Sequence, residues 1–164
     1  MADQRVERPG IPTTGVAKPE SGAMGDRLPP IIIQIETLAP AVEAWAALTE
    51  PDRIAEWFTD ATPLGAVGDA YRLDFGDGSV VEGIIREVEL GHRFAHTWAW
   101  ADIDPPQETL VTWSVEALPD GGGRVTLVHD GWSEAGADRA TRGDHEGYWT
   151  GYLDDLAEVL AERA

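Results

Sequence analysis

Three histidines set among apolar residues are the side chains best suited to chemistry. His96 lies in the alternation Phe94, His96, Trp98, Trp100, His129 ends the alternation Val125, Leu127, His129, and His145 opens an apolar helical series. An imidazole titrates near neutral pH, so each qualifies by type as an acid–base group or a metal ligand. Their spacing holds no local ligand pair such as i, i+4 on a helix, so neither a metal nor another cofactor is expected. His96 and His129 fall on strands separated by the 109–118 segment, which argues against direct contact. His129 ends one element and His145 opens the next, so these two are better placed to meet. Asp74, Glu82 and Glu146 are candidate carboxylate partners, with a solvated role as the plainer reading.

The elements that would position these groups follow from periodicity. His145, Trp149, Tyr152, Leu156, Val159 and Leu160 recur at helical spacing, with Asp154, Asp155, Glu158 and Glu162 opposite. The first half of this stripe is aromatic and the second aliphatic. Such a face needs a broad apolar partner, and the strands upstream supply it. Residues 31–35 form a β-branched run after Pro29-Pro30. Segments 70–75, 80–88, 94–100, 109–118 and 125–131 follow, joined by turn chemistry at Asp77-Gly78, Gly91 and Pro119-Asp-Gly-Gly-Gly123. No crossover helix intervenes, which predicts an antiparallel meander.

Between the first two strands, Pro40 opens a short helix with Val42, Trp45 and Leu48 on one face. Thr49-Glu-Pro-Asp52 reads as an N-cap signature with proline just inside a second short helix, whose apolar face is Ile54, Trp57 and Phe58. The predicted class is α+β: a curved antiparallel sheet of about six strands around a long C-terminal helix, with two short helices after the first strand. Residues 1–28, rich in polar residues, Gly and Pro, read as a disordered tail, and 29–164 as one domain. The loop at 133–138 leads into the last helix.

Composition narrows the partners. Twelve basic against thirty acidic residues give a net charge of -18, which argues against nucleic acid and anionic membranes. There is no cysteine, no run long enough to insert in a membrane and no visible signal peptide, so a cytoplasmic location is expected. Gly143, Gly147 and Gly151 recur every four residues. That leaves a solvent face, or room for a loop or a second subunit, and so is compatible with a homodimer.

At this point the chain resembles a known group. Leu48-Thr-Glu-Pro-Asp-Arg-Ile-Ala-Glu-Trp57-Phe58, His92-Arg-Phe-Ala-His-Thr-Trp98, Val125-Thr-Leu-Val-His-Asp-Gly-Trp132 and His145-Glu-Gly-Tyr-Trp149 are similar to motifs of the SRPBCC (START/Bet v 1-like) superfamily. More narrowly they resemble the branch named for the C-terminal domain of the activator of Hsp90 ATPase. His96 departs from the apolar or aromatic residue usual at its place. The resemblance implies a helix-grip fold over a hydrophobic pocket. Relatives bind lipids, hormones, polyketides or other apolar molecules, and some are cyclases. The Hsp90-activating proteins carry an added N-terminal domain where this chain has a polar tail, so a co-chaperone role is not inherited.

The expected function is therefore binding of a small apolar molecule. Trp57, Phe94, Trp98, Trp113, Leu127, Trp149 and Tyr152 would be walls, and His96, His129 and His145 polar points. The alternatives are a cyclase- or hydrolase-type enzyme using the same pocket, with its catalytic residues unknown, and a chaperone-associated interaction module.

Overall fold

The structure is a computed structural model that describes residues 27–133 and 138–164. Its elements run β1 (Ile31–Thr37), α1 (Ala41–Thr49), α2 (Pro51–Ile54), β2 (Asp60–Ala61), β3 (Ala70–Asp74), β4 (Val80–Glu89), β5 (Arg93–Trp100), β6 (Thr109–Ala117), β7 (Gly123–Asp130) and α3 (Asp138–Ala161). The strands form one antiparallel sheet in the order β1-β7-β6-β5-β4-β3-β2. Six consecutive strands, β2 to β7, pair with their sequence neighbours, as hairpin turns require. The first strand returns beside the last. The curved sheet grips α3, with the short helices after β1: a helix-grip α+β fold. It has seven strands rather than about six, because β2 adds a two-residue edge too short to show periodicity.

Alternation sorts the sheet faces. Ile31, His129, Val111, His96 and Ile85 are successive cross-strand partners, so they form one inward row. Leu127, Trp113 and Phe94 form the next. All are buried. The side of α3 turned to these rows buries His145, Trp149, Leu153, Leu156 and Leu160. Leu153 thus takes the central place expected for Tyr152, while Tyr152 and Val159 flank the stripe half-buried. Full burial of Leu156 or Leu160 stabilises by about 1.5–3 kcal/mol each. A Cβ built at Gly143, Gly147 or Gly151 meets nothing within 4 Å, so this stripe faces open space in the single chain.

The short helices differ from expectation in two details. Val42 is 69% exposed, and α1 instead buries Ala44, Ala47 and Leu48. Thr49 does not cap α2. Its hydroxyl donates to the Trp45 carbonyl one turn back, and Glu50 occupies the cap position with Pro51 at the first turn. Trp57 follows α2 and fastens the pair, its indole N–H donating to the Ala47 carbonyl at 2.8 Å.

The chain before β1 packs on the domain. Leu28 is buried and its N–H donates to the Trp132 carbonyl, while Arg142 of α3 donates to the Pro29 and Pro30 carbonyls. The rest of the tail expected over 1–28, and residues 134–137 of the expected loop, lie outside the described residues.

Gly83 of β4 allows a close approach to β5. A Cβ there would overlap the Thr97 carbonyl. That carbonyl accepts from His96 Nδ1, and the Thr97 hydroxyl accepts the Ile84 N–H in its place. Gly83→Ala is expected to push the strands apart and lower stability by about 1–3 kcal/mol. Urea denaturation reads the loss, and an unchanged midpoint would show that β4 shifts freely.

Candidate functional site

Antiparallel order brings the end of β5, the start of β6, the end of β7 and the start of α3 to the same edge of the sheet. The residues there are rich in tryptophan: Trp98 and Trp100 end β5, Trp132 follows β7, and Trp149 lies one turn beyond His145 on α3. A cavity of about 460 Å³ opens at this edge. Its lining comprises Trp98, Trp100, Ile103, Gln107, Glu108, Thr109, Gly131, Trp132, Ser133, Asp138, Thr141 and His145.

The wall is held by indole-to-imidazole hydrogen bonds. Trp98 and Trp100 both donate their N–H to His145 Nε2, at 3.3 and 3.0 Å. That nitrogen must be the unprotonated one, so Nδ1–H donates to the Thr141 carbonyl at 2.8 Å. Trp149 donates to His129 Nδ1 at 2.9 Å, which leaves Nε2–H to donate to the Thr109 hydroxyl at 2.7 Å. Thr109 then donates to the Trp98 carbonyl. Trp132 donates to the His129 carbonyl. Both ring nitrogens of His129 and of His145 are thereby occupied by protein partners. The two rings meet edge to face with centroids 5.5 Å apart.

Burial keeps these rings neutral. Desolvation is the largest influence on each, and it lowers all three histidines from the ordinary imidazole value. His96 falls to about 4, the Thr97 carbonyl opposing the shift. His129 is pushed far down, with His145, His96 and Arg142 adding smaller repulsions. His145 is lowered against the opposing pull of the Thr141 carbonyl and Asp144. No cluster of three or more metal-ligating side chains occurs among the described residues.

Nine of the ten residues singled out from the sequence fall into three neighbourhoods. Trp98 and His145 line the cavity, with His129 and Trp149 directly behind them. Trp57, Trp113 and Tyr152 surround Phe58 and Trp149 in a close-packed aromatic group: Phe58 lies 4.7 Å from Tyr152 and 5.3 Å from Trp149, and Trp57 5.8 Å from Trp113. Phe94 and His96 sit beside Tyr71, whose ring centroid is 4.4 Å from that of His96. Leu127 is fully buried in the core.

Sequence reasoning missed most of the cavity rim, Ile103, Gln107, Glu108, Thr141 and Trp132 among it. One signal was available. Hairpin order puts the β5 end, the β6 start and the β7 end at one edge, where Trp100 and Trp132 also fall.

Solved structures share this architecture. MLL2253 from Mesorhizobium loti superposes with a TM-score of 0.73 at 23% identity, covering 82% of this chain and 98% of that one. The Aha1 dimer from Colwellia psychrerythraea gives 0.68 at 19% identity, covering 83% and 98%. DynU16, from the dynemicin biosynthetic locus, gives 0.69 at 24% identity over 80% of this chain. This chain spans under half of DynU16, matching 46% of its length. These likenesses establish the fold. A comparison with curated proteins gives no match. The model of the family described as activator of Hsp90 ATPase homolog 1-like protein matches residues 38–161. That span runs from the end of β1 through the whole of α3, cavity walls included, and the chain belongs to this family.

Proposed function

We propose that the protein binds a small, largely apolar molecule in the cavity between the edge of the sheet and the first turns of α3. The observation that carries this reading is a space of about 460 Å³ walled by Trp98, Trp100 and Trp132. Sites for small molecules span roughly 300–1,000 Å³ and are mostly apolar with a few placed polar groups. The histidines support binding over acid–base catalysis. A general base needs a free lone pair facing substrate, and His145 Nε2 already accepts two indole N–H groups. Its role here is to hold two walls in place. Trp57, Phe94, Trp113, Leu127 and Tyr152 then serve as the packed body behind the site, and His96 as a neutral core group. DynU16 belongs to a biosynthetic locus, a setting in keeping with a small-molecule ligand.

A thermal-shift screen of lipids, aromatics and polyketides tests the reading. A ligand at a hundredfold excess over its Kd should stabilise by about 2.7 kcal/mol. Thr141 lines the cavity from α3, and its carbonyl contact to His145 survives a side-chain change. Thr141→Trp should fill the space and abolish the shift while the protein stays folded. A screen in which no compound raises the midpoint, or hits that bind Thr141→Trp unchanged, would sink the proposal.

A further inference from the structure

The indole N–H groups around the cavity are turned away from it. Each of the three indoles in its lining commits its N–H to the protein: Trp98 and Trp100 to His145 Nε2, Trp132 to the His129 carbonyl. The Thr109 hydroxyl donates to the Trp98 carbonyl, and His145 Nδ1–H to Thr141. What the indoles leave to the cavity is π-surface, beside the polar side chains of Gln107, Glu108, Ser133, Asp138 and Thr141. Among the described residues the lining includes two carboxylates, Glu108 and Asp138, and no lysine or arginine. Asp138 accepts the Ser133 N–H through one oxygen. Glu108 is exposed, without a cationic partner among the described residues. Arg142, the nearest basic residue on α3 to His145, is held by the Pro29 and Pro30 carbonyls and by Glu146. The net charge of -18 adds a long-range field of the same sign.

From this we infer that the ligand is a cationic amphiphile: an apolar, ring-sized body that carries an amine, received by the indoles of Trp98, Trp100 and Trp132 and the carboxylates of Glu108 and Asp138. The inference rests on the cavity being the binding site. An ammonium is attracted both to indole faces and to carboxylates, and its N–H groups meet the carboxylate acceptors. An anionic ligand of the same shape meets two like charges and no free indole donor.

Three probes of one shape separate the contributions: 1-naphthylmethylamine, 1-naphthylmethanol and 1-naphthoic acid, titrated calorimetrically at pH 7.5 and low salt. The amine should bind with one-to-one stoichiometry and about tenfold tighter than the alcohol, with the acid weakest. Added salt should shrink the preference. Glu108→Gln should reduce the amine-to-alcohol ratio several-fold and leave the alcohol's affinity unchanged. Glu158→Gln, on the outer face of α3, should leave the ratio alone. Equal affinities for amine and alcohol would overturn the charge preference and leave the cavity reading standing. A preference unaltered in Glu108→Gln would trace to net charge and overturn the assignment. Absence of binding by all three probes would overturn the site and this inference together.

Discussion

His129→Ala is expected to destabilise the protein by about 3–5 kcal/mol, among the largest effects of any single substitution behind the cavity wall. His129 is fully buried at the meeting of β7, β6 and α3. Its removal leaves a void in the row it shares with Ile31 and Val111. It also leaves the Trp149 indole N–H without an acceptor and the Thr109 hydroxyl without a donor. A buried unpaired polar group costs about 1–3 kcal/mol beyond the lost packing. His129→Gln separates these effects, because an amide can accept from Trp149 and donate to Thr109. Urea denaturation should rank wild type, then Gln, then Ala, with Gln recovering at least half the loss. Equal losses for Gln and Ala would show that ring packing, not hydrogen bonding, explains the position.

Acid should loosen the fold as pH falls below about 7. The folded pKa of His96, about 4, lies below the ordinary imidazole value near 6.5, as do those of His129 and His145. Between the folded and unfolded values the unfolded chain binds more protons, so stability rises with pH. The histidine contribution is complete above about pH 7. It is lost as pH falls through 6.5 toward the folded values, at up to about 1.4 kcal/mol per pH unit for each ring. Arg142 adds to the penalty for charging His129, while Asp144 moderates that for His145. Protonated His145 could no longer accept from Trp98 and Trp100. The cavity wall should therefore fail with the fold, reported by tryptophan fluorescence. Thermal midpoints between pH 7.5 and 5.5 check this expectation. His129→Gln should flatten the slope by up to one proton's worth. A midpoint independent of pH over that range would contradict the neutral, buried state of these rings.

The helix-grip fold was largely legible from local pattern. Phe94, His96, Trp98 and Trp100 alternate, Asp77-Gly78 turns a hairpin, and the His145 to Leu160 stripe demands a sheet as partner. Each is a short-range signal that packing then reinforces. Local pattern misplaced residues where two faces were nearly equal. Val42 turned outward because Ala44 and Ala47 let α1 approach the sheet closely, as a larger residue would not. Leu153 displaced Tyr152 from the centre of the α3 stripe, leaving Tyr152 to pack its ring on Phe58. The meeting of His129 and His145 was foreseeable, since one ends a strand and the other opens the next long helix.

The chain by itself determined the order of elements, the inward histidines and the acidic surface, because these follow from residue type and from periods of two and 3.6. The tertiary structure decided the rest. It chose which tryptophans bound an open space and which pack solid, since Trp98 and Trp113 look alike on alternating strands. Only the shared sheet edge puts Trp98 and Trp100 beside Trp132 and the 103–108 loop residues. It also decided what the imidazoles do. Whether a ring nitrogen is free for chemistry depends on which donors reach it, and here Trp98, Trp100 and Trp149 come to it from elements distant in sequence.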